Sequence, residues 1–428
     1  MKIEQLHKSF LTCTNVTTDT RNISKDSMFV ALKGERFDAN EFAKEALEKG
    51  AKFAVIDNPK YNIEGRTFLV KDSLVALQEL SNYHRKYLSN IKIIGLTGSN
   101  GKTTTKELFK VVLSEKYKTK ATIGNLNNHI GVPLTLLSFD ETTEIGIVEM
   151  GANHQKEIEF LCSIAEPDFG YITNFGKAHL EGFGGVEGII KGKSELYQYL
   201  ESNSKVAIVN LDDEIQKEKT ETIKRFTFST NEKSDVSITS VEANPMVTIT
   251  FENTVINSNL IGLYNANNIN AAITFGKYFE VSNSEIKSAI ENYIPTNNRS
   301  QIVEKNNNKI ILDAYNANPS SMHAALTNFF QLSESPKTAI LGDMFELGNE
   351  SEAEHRKIVE ICLKQKEIQF YFIGKHFFNC NKLAQSNSSF FEDFDGFKNS
   401  FQNLLLRNSL ILIKGSRGMS LERTLEIL

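Results

Sequence analysis

Lys102 and Thr103 follow two glycines, Gly98 and Gly101, at the end of an apolar run, Ile91-Lys92-Ile93-Ile94-Gly95-Leu96. The run reads as a buried strand, the glycines permit a tight turn, and Lys102-Thr103 opens a helix. An ammonium, a hydroxyl and the free N–H groups of a helix start then share one small volume, which suits a polyphosphate carrying Mg²⁺. The segment is a variant of the usual phosphate loop, because Leu96 stands where the first glycine of that pattern is expected. A turn that needs its glycines only for geometry is the plainer alternative, but the strand–glycine–lysine–threonine–helix order favours ATP. Gly98, Ser99, Asn100, Gly101, Lys102, Thr103 and Thr104 are the expected ATP-binding residues.

Other polar residues fall at the carboxyl ends of apolar runs, where open α/β sheets bind their ligands. Glu149 closes Ile145-Gly146-Ile147-Val148, and a carboxylate there can hold Mg²⁺ against terminal phosphates; an acid facing water is the alternative. His179, in Asn174-Phe175-Gly176-Lys177-Ala178-His179-Leu180-Glu181, is either a ligand for a second metal or a plain loop residue. Lys191 and Lys193 stand near a helix start, where a solvated face is the default. Asn265 and Asn268 either read an adenine edge or cap a helix. Asp313 can take a ribose hydroxyl, and Lys414-Gly415-Ser416-Arg417-Gly418 can hold a substrate carboxylate or serve only as a basic turn.

The elements that position these residues divide by texture. The chain has 428 residues, 40% hydrophobic and 24% charged, which is globular and long enough for two or three domains. Residues 1–88 read as a small N-terminal α/β domain. Residues 89–296 alternate strand and helix, implying a mainly parallel sheet, then change to period two near 225–262, implying a smaller antiparallel sheet. Pro295-Thr296-Asn297-Asn298 reads as a linker, and 297–428 as a second, Rossmann-like α/β domain. Asn306-Asn307-Asn308 reads as a turn. A net charge of −5 argues against a nucleic-acid binder, and no apolar run is long enough to span a membrane. Four scattered cysteines and no signal-peptide pattern point to a soluble cytoplasmic protein.

Together these strings resemble the Mur ligase family, ATP-dependent amide-forming enzymes of peptidoglycan assembly. The resemblance runs through the phosphate loop, Glu149-Met150-Gly151-Ala152-Asn153, Asn174 to Glu181 and Tyr264-Asn265-Ala266-Asn267-Asn268. Thr122 to Thr135, Asp313 to Pro319, Leu341 to Gly348 and Lys414 to Arg417 are most similar to the branch that joins D-alanyl-D-alanine to UDP-N-acetylmuramoyl-tripeptide. The resemblance implies that Lys102 contacts the β/γ-phosphates, that Thr103 and Glu149 hold Mg²⁺, and that His179 serves a second metal. Lys193, and not Lys191, matches a lysine that family members carbamylate with CO₂, which would make it a metal ligand too. Asn265, Asn268, Arg299 and Asp313 would bind the nucleotide. Asp19, Thr20, Arg21, Asn127, Asn128, Asn316, Asn318, Lys414, Ser416 and Arg417 would bind the two other substrates, the first three within a UDP-sugar-binding N-terminal domain. Thr20 replaces a usual serine there, and Asp38-Ala39-Asn40 replaces a usual Asp-Gly-His. A monomer that closes its C-terminal domain about a hinge at Pro295–Asn298 is expected. The alternatives are a diamino-acid-adding sibling, whose Asp-Asn-Pro-Arg motif has its nearest string at Asp57-Asn58-Pro59-Lys60, and a regulator that binds nucleotide without catalysis.

Overall fold

A computed structural model describes residues 2–296, 298–401 and 406–428. The phosphate-loop strand, Lys92–Thr97, is buried after its first residue and lies inside a nine-stranded sheet. Its parallel neighbours are Ile145–Glu149 and Phe169–Ile172, so Thr97, Glu149 and Ile172 end on the same edge. Thr119–Ala121 completes one side of this sheet. On the other side follow Val206–Asn210, Lys224–Ser229, Val236–Ala243, Met246–Phe251 and Thr254–Ile261.

The period-two stretch does not form a sheet of its own. Lys224–Ser229 pairs parallel to Val206–Asn210 and to the start of Val236–Ala243; only the last three strands are antiparallel. They therefore extend the main sheet. Val247, Ile249 and Phe251 point inward, and their alternation with half-buried threonines is the sequence signal of a one-sided edge. Helices Ala266–Tyr278 and Asn283–Asn292 follow.

The C-terminal six-stranded sheet runs Gln301–Lys305, Asn308–Asp313, Leu410–Lys414, Lys337–Gly342, Ile368–Ile373 and Ser388–Phe391. All pairs are parallel except the first, a hairpin that period alone did not reveal. Its turn is Asn306-Asn307, with φ of 49° and 61° at the two residues. Asparagine tolerates that left-handed region, which twists a two-residue hairpin in the right sense.

The N-terminal unit is a four-stranded parallel sheet, Val16–Thr17, Met28–Val30, Phe53–Ile56 and Thr67–Leu69, covered in part by helix Ser73–Tyr87. Helix Ile3–Phe10, which sequence texture did not separate, packs on the latter. Ser73–Tyr87 also joins this unit to the central one: Arg85 Nη2 donates to Asp168 Oδ2 at 2.9 Å, and Asn82 Nδ2 to Ile164 O at 2.9 Å. Asp168 also accepts Ile93 N at 3.0 Å and Lys205 Nζ at 2.7 Å. The central and C-terminal units share one apolar cluster, running from Ile93 and Val148 through Phe183 to Met322 and Leu347. Of the expected linker, Asn297 lies outside the described residues.

Candidate active site

A cavity of about 880 Å³ lies between the central and C-terminal units, with the phosphate loop on one wall. Gly98 adopts φ +137°, and a Cβ there would stand 2.0 Å from Thr173 Oγ1. Gly101 adopts φ +79°, and its Cβ would meet Asn268 Oδ1 at 2.7 Å. Both glycines are thus required by conformation and by close approach. Helix Lys102–Ser114 starts on this wall. Lys102 Nζ folds back over the loop, donating to Gly98 O at 2.7 Å and Ser99 O at 3.3 Å. Burial lowers its pKa, against the pull of Glu149. The buried Ser99 Oγ has no partner among the described residues, and Asn100 and Thr104 line the cavity.

Glu149 is 1% exposed and is held by two donors. Thr103 Oγ1 donates to its Oε2 at 3.0 Å, and Asn127 Nδ2 to its Oε1 at 2.8 Å. One carboxylate beside one hydroxyl fits Mg²⁺, which takes few protein ligands and fills its octahedron with phosphate oxygens and water. No group of three or more His, Cys, Asp or Glu side chains suited to a metal occurs among the described residues. Asn127 thus orients Glu149, and Asn128 Oδ1 accepts Ile130 N at 3.1 Å and Gly131 N at 2.9 Å in the turn that leads into helix Gly131–Leu137. Both asparagines still line the cavity where the resemblance placed a substrate.

His179 also faces the cavity, at φ +54°, and its Nδ1 contacts Glu346 Oε2 from the C-terminal unit. Lys193 is absent from the cavity wall. It is 1% exposed, with its Nζ donating to Ala152 O at 3.1 Å and lying 4.9 Å from the centre of the Phe183 ring. A solvated face, the default reading from spacing, is excluded for Lys193. Burial first, then the charge of Lys102, drives its pKa well down, which favours the neutral amine. Lys191 is exposed on the same helix.

The adenine-or-cap alternative for the two asparagines has a third outcome. Asn265 Nδ2 donates to Ile261 O at 2.8 Å, while Asn268 Nδ2 donates to Asn265 Oδ1 at 2.9 Å and Asn268 Oδ1 accepts Thr105 Oγ1 at 3.0 Å. This pair braces Gly101 against helix Ala266–Tyr278, and both residues line the cavity.

On the C-terminal wall, Asp313 Oδ2 accepts Lys414 Nζ at 2.5 Å and Oδ1 accepts Ser300 N at 3.1 Å. Arg299 and Arg417 stack on one ring, Tyr315, with guanidinium carbons 3.6 and 4.7 Å from its centre. Asn318 caps helix Pro319–Gln331 and donates to Asn100 Oδ1 at 2.7 Å across the cleft. Ser416 Oγ accepts Phe345 N at 2.9 Å, and Asn316 Oδ1 accepts Ala317 N at 2.9 Å. Lys177 adds a bridge to Glu354 at 3.0 Å. Tyr315 and Glu346 were not singled out from the sequence, although each lies in a string that was, so chemistry-bearing neighbours in those strings were the available signal.

Asp19, Thr20 and Arg21 do not line this cavity. Asp19 caps the short turn Thr20–Asn22 and pairs with Arg21 at 2.7 Å; those hydrogen bonds hold its pKa at about 2. Asn40, fully buried, donates to Asp38 at 2.6 Å and Asp57 at 2.8 Å and accepts Asp57 N at 2.9 Å. An amide can hold that network without a histidine ring. Asp57-Asn58-Pro59-Lys60 leads into the short helix Pro59–Tyr61 and is away from the cavity, so it offers no site for a diamino acid there.

Comparison with known proteins agrees with this geometry. Family models described as Mur ligase family, catalytic domain, Mur ligase middle domain, and Mur ligase, glutamate ligase domain match residues 12–87, 96–276 and 298–417. The UDP-N-acetylmuramoyl-tripeptide–D-alanyl-D-alanine ligase of Bacillus subtilis is 35% identical, covering 95% of this chain and 91% of its own. The enzyme of that name from Escherichia coli is 34% identical, with coverages of 99% and 95%. A crystal structure of MurF from Acinetobacter baumannii superposes with a TM-score of 0.87 at 31% identity, over 99% of this chain and 97% of that one. MurF from Thermotoga maritima in complex with ADP gives 0.83 at 26%, over 98% and 97%. The chain belongs to the Mur ligase family.

Proposed function

We propose that this chain joins D-alanyl-D-alanine to UDP-N-acetylmuramoyl-tripeptide at the expense of ATP, the reaction named for its relatives from B. subtilis and E. coli. The observation that carries the reading is the single cavity that holds a phosphate loop, a braced carboxylate at Glu149 and, facing them, the basic turn at Lys414–Arg417. A carboxylate resists attack by an amine because its charge repels the nucleophile and oxide is a poor leaving group. Transfer of the γ-phosphoryl group to a carboxylate oxygen breaks the Pγ–O bond to ADP and removes both obstacles. The amine then forms the C–N bond, the C–O bond to phosphate breaks, and the amine loses a proton. Lys102 would offset charge on the transferred group, and the wall-to-wall contacts of the C-terminal unit would exclude water from the acyl phosphate. Thr103 and Glu149 would hold Mg²⁺, which neutralises phosphate charge when bound.

Carbamylation of Lys193 belongs to the same proposal. Its support is that burial favours the neutral amine, the form that adds CO₂; a mass gain of one CO₂ on the peptide containing Lys193, trapped by alkylation, is the check. Localisation in the cytoplasm is proposed from four unpaired cysteines, which suit a reducing compartment. Among the described residues no helix is long and apolar enough to cross a membrane. The reading of the whole is tested with purified protein, ATP, Mg²⁺ and both substrates. The expected result is one pentapeptide product and one phosphate per ADP, with omission of either substrate abolishing the product. ADP release without a joined product would overturn it.

A further inference from the structure

Four carboxylates line the cavity, and three are committed to donors in the protein. Glu149 serves Thr103 and Asn127; Glu157 accepts Asn153 N at 2.6 Å and His154 N at 3.1 Å; Asp313 serves Lys414 and Ser300. Glu346 differs. Its polar contact among the described residues is with the His179 ring, and its side chain is half-exposed to the cavity. A carboxylate this exposed is an anion at neutral pH. Glu346 stands at φ +61° and His179 at φ +54°, two non-glycine residues in the left-handed region that meet across the cleft. Strain of that kind persists where the surroundings fix a side chain's aim.

The loop that carries Glu346 is bonded to the loop that carries Arg417. Phe345 N donates to Ser416 Oγ at 2.9 Å, and a Cβ on Gly418 would stand 2.8 Å from the Phe345 ring. One wall of the cleft thus presents an anion and a cation from adjoining loops, opposite the phosphate loop. A free dipeptide is a zwitterion with the matching pair of charges. We propose that Glu346 receives the ammonium of the incoming dipeptide, exchanging the His179 ring for it, while Arg417 holds the dipeptide's carboxylate. The inference rests on the amide-joining reading above and assigns the recognition of one substrate within it. A carboxylate that binds this ammonium places its nitrogen next to His179 and the phosphate loop, where loss of a proton frees the amine to attack.

The test is Glu346→Gln, which keeps shape and backbone preference but removes the charge. The KM for D-alanyl-D-alanine should rise about 10- to 100-fold, the range for losing one charge-assisted hydrogen bond, while the KM for ATP stays within about twofold. Hydroxylamine, uncharged at neutral pH, captures the acyl phosphate as a hydroxamate without needing an anion to bind it. Hydroxamate formation by the variant should match the parent protein. An unchanged KM for the dipeptide, or an equal loss of dipeptide and hydroxylamine reactions, would overturn the proposal. Absence of hydroxamate with the parent protein would instead strike the acyl-phosphate reading itself.

Discussion

Asn127 donates to Glu149 at 2.8 Å from a loop 22 residues earlier in the chain, so the orientation of the carboxylate depends on an amide with no charge of its own. The Glu149 carboxylate has two oxygens, and Thr103 and Asn127 take one each at their shortest approach.

Removing that amide should loosen the metal before it loosens ATP. Asn127→Ala is expected to raise the Mg²⁺ concentration for half-maximal activity by about 10- to 100-fold, as is usual when the partner of a metal-binding side chain is lost. Titrating activity with Mg²⁺ at saturating ATP is the measurement, and an unchanged midpoint would separate Asn127 from metal binding.

Lys193 should trade stability for function. Its pKa is depressed on folding, so the unfolded chain holds a proton that the folded chain does not, and stability rises with pH between the lowered value and the ordinary 10.5. Lys193→Met removes this cost. A gain of about 1 kcal/mol, or about 2–4 °C in a domain of this size, is expected by calorimetry at pH 7, together with a fall in ligation rate.

Tyr315 should matter through its ring, not its hydroxyl. Each cation stacked on an aromatic face is worth about 0.5–2 kcal/mol. Tyr315→Leu is expected to raise the KM for ATP and for the dipeptide by about 2- to 30-fold each, through Arg299 and Arg417. Tyr315→Phe should restore both values.

The buried histidine pair of the N-terminal unit should set acid stability. His7 Nε2 and His84 Nδ1 lie 3.0 Å apart, His84 Nε2 lies 3.0 Å from Phe139 O, and Tyr83, Tyr87 and Phe10 surround His7. Burial, then the charge of His84, lowers the His7 pKa from 6.5 to about 4, and burial lowers that of His84. The folded pKa is the lower one, so this stability is full above pH 6.5 and is lost as the pH falls through 6.5 toward 4. His7→Gln should flatten the fall of the melting temperature over that window. An unaltered slope would place the acid sensitivity elsewhere.

Residues whose roles are local were legible in the sequence. Gly98, Gly101, Lys102 and Thr103 announce themselves because strand, turn and helix follow one another without a break, and Glu149 and Asp313 because they close apolar runs. Roles that depend on distant partners were not. Asn268 braces a loop 167 positions earlier, where a Cβ on Gly101 would strike its amide, and Glu346 meets His179 across the cleft between two units. Lys193 looked like a surface lysine because its neighbours alternate charge with small residues; the Phe183 ring that covers it comes from another helix. The antiparallel strands were found by period, but period carries no sign of which sheet they join.

Asp168 has a consequence for what the molecule can accept. By holding Arg85 of the first unit beside Ile93 N and Lys205 of the second, it ties the first two units together. That tie fixes the span from the N-terminal sheet to Lys102. With a substrate's sugar seated on the first unit, a stem of the wrong number of amino acids is expected to present its terminus short of the phosphoryl group or beyond it, which would give a strut that touches no substrate a part in choosing one.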